Sequence, residues 1–112
     1  MSETDDSWRW GNLVVDCLKN FREQQDIPVR FVDFEVIPHF DGSADDIYVW
    51  FICTRCAETL PFRERCLEKA TNELRQRLLR REFPESAASS LGTDVTSLEE
   101  IEAGGGRFAY FR

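Results

Sequence analysis

A single histidine, His39, is all this chain offers for a Ser-His or Cys-His nucleophile pair, and it stands beside a turn-like run. No coherent catalytic set can be assembled around it. No apolar run approaches the roughly 18 residues that cross a bilayer, and the opening MSETDDSW has no apolar core segment. Neither a membrane anchor nor a secretory signal is expected, which points to a cytoplasmic protein with reduced thiols. Gly104, Gly105 and Gly106 lack the Lys and Ser or Thr of a phosphate-binding loop and read as a hinge.

Positive charge is also in short supply. The chain has 14 Lys and Arg against 21 Asp and Glu, a formal net charge of −7. Nucleic-acid binding draws its affinity from basic side chains that neutralise phosphates, so a nucleic-acid partner is not expected. A net-negative surface keeps a protein soluble or attracts a basic partner.

What is present describes one small α+β domain. At 112 residues, with 42% hydrophobic and 12% aromatic side chains, the chain has enough apolar surface for one core without metal or disulfide staples. Residues 1–6 read as frayed, and Ser7 offers a cap for a first helix. In that helix Trp10, Leu13, Val14, Cys17, Leu18 and Phe21 share one face. Pro28 should end it near Gln25 or Asp26.

Val29 to Pro38 alternates as a strand, with Val32, Phe34 and Val36 on one side and Phe31, Asp33, Glu35 and Ile37 on the other. His39 to Asp46 reads as a hairpin connection, and Ile47 to Thr54 as a central strand, apolar on both faces. Thr59 and Pro61 mark a helix from about Leu60 to Phe83, stopped by Pro84. Residues 85–94 read as a loop. Ser97 and Glu100 fit a capping box for a short helical turn, and the terminal RFAYFR has the β propensity of a last strand. The expected order is α-β-β-α, a short turn, then β: a three-stranded, mainly antiparallel sheet packed with two helices. With both helices on one sheet face, Tyr48 and Trp50 on the other would need a cover, and a homodimer or a protein partner would supply it.

Three groups of residues could carry function. Cys53 and Cys56 have the spacing of a metal knuckle or redox pair, but a second CxxC or an HxxxH is missing, so only Cys66 and His39 could complete a metal site. Four packed thiols, with no cofactor, is the simpler expectation. The order of elements resembles the core of restriction-type nucleases. Their Glu-x-Lys pair is absent, however, since Glu35 is followed by Ile37 and the second strand has no Lys. The Leu60–Phe83 segment carries seven basic and four acidic side chains, including a Glu73–Arg77 pair at helical spacing.

The third group is acidic: Asp33 and Glu35 on the first strand, with Asp41, Asp45 and Asp46 in the hairpin. Carboxylates gathered at one edge can steer and hold a basic protein, as small acidic inhibitors and toxin-neutralising proteins do. Protein binding through these five residues is the leading expectation; a metal or thiol-redox protein using Cys53 and Cys56, and a homodimeric accessory protein, are the alternatives.

Overall fold

The first helix buries the face that its apolar spacing selects. A computed structural model describes residues 9–39 and 43–111, and α1 (Arg9–Glu23) turns Val14, Cys17, Leu18 and Phe21 into the core. Trp10 and Leu13 flank that stripe and pack against it. Ser7 and residues 1–6 lie outside the described residues.

After α1 the chain is held by a side chain standing in for backbone. The Gln25 carboxamide accepts from the Phe31 amide (2.9 Å) and donates to the Phe31 carbonyl (2.7 Å), as a neighbouring strand would. Phe31 is thereby fixed in the core at 1% exposure, whereas Val32 is 43% exposed. The expected alternation breaks here, and the regular strand β1 (Asp33–Ile37) starts only afterwards. Within β1, Phe34 and Val36 do share the core-facing side, as their spacing requires.

Strand β2 (Tyr48–Cys53) is central, as its doubly apolar sequence demands. It pairs antiparallel with β1, Glu35 opposite Trp50, and parallel with β3 (Gly92–Ser97), Phe51 opposite Val95. The sheet is therefore mixed rather than mainly antiparallel. A parallel neighbour needs a long crossover, and three helices supply it: α2 (Cys56–Arg65), α3 (Leu67–Arg80) and α4 (Glu85–Ser89).

These elements correct three sequence-based expectations. The single helix from Leu60 to Phe83 is two helices, broken at Cys66 (φ −123°, ψ −25°), and it begins at Cys56, so that Pro61 sits inside α2 rather than at its start. The early start has its own support, because the Arg55 amide donates to Glu58 Oε1 (2.8 Å) and the Cys56 amide to Glu99 Oε1 (2.6 Å). Residues 85–94 are not a loop: they hold α4 and the beginning of β3. The last described strand is β3, and Arg107–Tyr110 of the terminal RFAYFR form a helical turn instead, with Arg112 outside the described residues.

That turn follows from the capping box. Ser97 Oγ accepts from the Glu100 amide (3.1 Å) and starts α5 (Leu98–Ala103), as expected. The Glu100 carboxylate departs from the box and accepts from Thr96 Oγ1 (2.7 Å). Gly105 and Gly106 then take φ of +95° and +97°, a region that costs glycine little, and turn the chain into α6 (Arg107–Tyr110). β propensity measures fit to a half-buried, pleated surface. Tyr110 and Phe111 meet that surface from above instead of joining its edge.

The domain thus has three layers. Helices α1, α2 and α3 cover one sheet face, where Phe21, Phe31, Phe51 and Phe62 form a cluster of mostly edge-to-face rings with centroids 4.9 to 6.5 Å apart. The C-terminal segment lies on the other face, where Tyr110 and Phe111 meet Trp50 at 6.4 and 5.7 Å. The face expected to need an external cover is partly covered by the chain itself. No described helix is long and apolar enough to cross a membrane.

Candidate partner-binding site

Residues two apart on a strand share a face, so Asp33 and Glu35 project together from β1, away from the aromatic core. Register sets them opposite Ile52 and Trp50. The turn at Gly105 and Gly106 brings Arg107 to the same place. Its Nε donates to Glu35 Oε1 (2.7 Å), its Nη1 to Asp33 Oδ2 (2.8 Å), and its Nη2 to the Phe34 carbonyl. One guanidinium fork is thus read by two carboxylates and a backbone oxygen. Burial pulls the Arg107 pKa down, but hydrogen bonds and charge from Asp33 and Glu35 outweigh it and hold the group above its ordinary value.

Asp33 does more than pair. Its Oδ1 accepts from the Phe34 amide (2.8 Å) and faces Arg22 Nη1 at 3.6 Å. The amide and the carbonyl of Phe34, an edge-strand residue, are therefore both occupied by side chains. The opposite edge repeats the arrangement: Asp94 Oδ1 accepts from the Val95 amide (2.7 Å), and Arg63 Nη2 donates to the Val95 carbonyl (3.2 Å) and to Asp94 Oδ1 (3.0 Å). Unpaired backbone on an edge strand is a template for another chain. At both edges an Asp–Arg pair closes one residue of that template.

Of the five acids singled out, Asp33 and Glu35 converge on one point. Asp45 and Asp46 are exposed in the β1–β2 connection, Asp46 with φ of 60°. Asp41 lies outside the described residues. Arg107 is the residue of this cluster that sequence reasoning missed. Its signal was faint, an isolated arginine directly after three glycines.

The basic segment is largely spoken for. The expected Glu73–Arg77 pair forms (2.8 Å), and Arg77 also reaches Gln24 and the Phe21 ring. Arg75 donates to the Ala88 carbonyl (3.0 Å) and Lys69 to the Asp26 carbonyl (3.3 Å). These cations join α3 to its neighbours.

The thiols divide three to one. Cys17, Cys53 and Cys66 are buried, whereas Cys56 is exposed at the start of α2, so it is not the packed filler expected of it. Burial, with Glu58 and Cys66 nearby, pushes Cys53 up to about 12. Burial also raises Cys17, against the pull of Arg81 and Arg77. Among the described residues no group of three or more His, Cys, Asp or Glu could hold a metal ion. In the native protein at neutral pH, a thiol reagent is expected to modify Cys56 alone, read by intact mass. Cys56→Ser should leave the native protein unlabelled, and modification of two or more sites would contradict the burial of the other thiols.

No protein-family model, curated protein or solved structure matches this chain.

Proposed function

We propose that this chain is a protein-binding domain that engages basic partners through its carboxylates, with Asp33 and Glu35 as the holding pair. One observation carries the reading: two carboxylates and the Phe34 carbonyl together satisfy all three nitrogens of a guanidinium. An arrangement that accepts Arg107 has the geometry to accept an arginine from elsewhere. Asp45 and Asp46, exposed in the adjoining connection, add long-range attraction, and the overall charge of −7 raises the encounter rate with a basic surface.

The test is titration with an arginine-rich peptide at low salt and at about 0.5 M salt, where exposed charges are screened within a few ångströms. Affinity is expected to fall with salt, and to fall about tenfold or more in the Asp33→Asn, Glu35→Gln double variant, the loss of one charge-assisted pair or more. Equal affinity at both salt concentrations would remove the electrostatic basis of the reading.

A further inference from the structure

The two sheet edges carry the same Asp–Arg closure on different supports. Arg63 stands within the ten-residue helix α2, which is packed on the sheet. Arg107 stands on a four-residue turn that follows two glycines of positive φ. Its side chain is 40% exposed, and those of Asp33 and Glu35 are 35% and 32% exposed. A cleft of about 520 Å³ opens beside the fork, lined by Glu35, Arg107, Phe108 and Phe111. Phe108 at its rim is 85% exposed. Other contacts also hold the segment: Tyr110 Oη lies 2.8 Å from Thr96 Oγ1 and 3.5 Å from Glu100 Oε2, the amides of Gly104, Gly105 and Gly106 donate to carbonyls of α5, and Tyr110 and Phe111 meet Trp50.

From this contrast we infer that the C-terminal segment 104–111 is an intramolecular competitor, its Arg107 occupying the Asp33–Glu35 site until an arginine-bearing partner segment displaces it. The inference rests on the reading of that site as a partner-binding one. The occupant it commits to is an arginine, because three separate acceptors each take one of the three nitrogens of the guanidinium, a spread that the single nitrogen of a lysine ammonium does not match. A short tether gives the resident arginine a high effective concentration, so apparent affinity for an outside arginine is reduced by the fraction of molecules whose site is closed. Arg63, whose side chain is 47% exposed, can leave Asp94 by rotating alone, but it stands on a helix packed against the sheet, so no segment of chain leaves with it.

The probe is a blocked glycine peptide carrying one arginine, with its lysine counterpart, titrated by calorimetry or amide NMR. Arg107→Ala is expected to bind the arginine peptide about tenfold or more tightly than the parent chain, as opening a mostly closed site requires. Arg63→Ala makes the same change in net charge and should stay within about twofold of the parent, a non-specific increment. In the parent chain, hydrogen exchange of residues 104–111 should rise with arginine-peptide concentration and not with the lysine peptide. That measurement needs no variant and so does not depend on how Arg107→Ala folds.

Equal gains in the Arg107→Ala and Arg63→Ala variants would overturn the inference, because net charge alone would then explain them. Peptide shifts at Asp33 and Glu35 with no change in exchange of 104–111 would also overturn it, while leaving the binding site standing. An absence of binding in every variant would remove both.

Discussion

Phe51→Ala is expected to lower the free energy of unfolding by about 3 to 5 kcal/mol, the usual cost of emptying an aromatic site in a packed core. Phe51 is fully buried at the middle of the central strand, and its ring meets Phe31 at 4.9 Å, Phe62 at 5.6 Å and Phe21 at 6.5 Å. Those three rings come from α2, from α1 and from the segment leading into β1. Removing the ring therefore loosens three elements at once. A domain of this size is stable by about 5 to 15 kcal/mol in total, so a substantial share would be lost. Phe51→Leu keeps more of the volume and should cost about 1 to 2 kcal/mol. Urea unfolding followed by circular dichroism measures both, and a loss under about 1 kcal/mol for the alanine variant would show that the cluster collapses to fill the space.

Alkaline pH should act through Cys53. In the unfolded chain this thiol ionises at its ordinary value of 9.0, whereas in the core it keeps its proton to about 12. Below pH 9 both states hold the proton and stability is unaffected. Above it the unfolded chain releases the proton first, and stability falls by roughly 1.4 kcal/mol per pH unit until the folded value is reached. Cys17, also raised by burial, acts in the same direction. Denaturation midpoints measured across that alkaline range should decline more steeply in the parent chain than in Cys53→Ala. The comparison of slopes is insensitive to the cavity the substitution leaves, which is common to every pH. Equal slopes would mean that other groups set the alkaline limit.

The same burial explains why the CxxC spacing was a poor guide. Cys53 ends a strand whose core-facing side is completely covered, and Cys56 begins a helix at the surface. Spacing alone placed the two thiols close in the chain. It carried no information about the chain turning outward between them.

The C-terminal segment teaches the converse. Its aromatics pointed to a segment docked on the sheet, and Tyr110 and Phe111 do lie against Trp50, whereas Phe108 is exposed. What could not be read was whether they would join the hydrogen-bonded ladder or lie across it. β3 took the remaining place beside β2 although Val95 is its only large apolar side chain, because buried Thr96 and Ser97 find partners in Glu100, Tyr110 and the Cys56 thiol. A strand whose buried residues are satisfied polar groups leaves no hydrophobic period to detect.

By itself the amino-acid sequence determined the α1 stripe, the central position of β2, the Ser97 cap and the pairing of Glu73 with Arg77, since each depends on neighbours within a few residues or on one strand's own composition. Only the tertiary structure decided that Gln25 would serve Phe31 as a strand partner, that the sheet would be mixed, and that Arg107 would travel 72 positions along the chain to meet Glu35. Such contacts join groups that are strangers in sequence. Their partners are chosen by which surfaces the packed layers bring together, and no local periodicity records that choice.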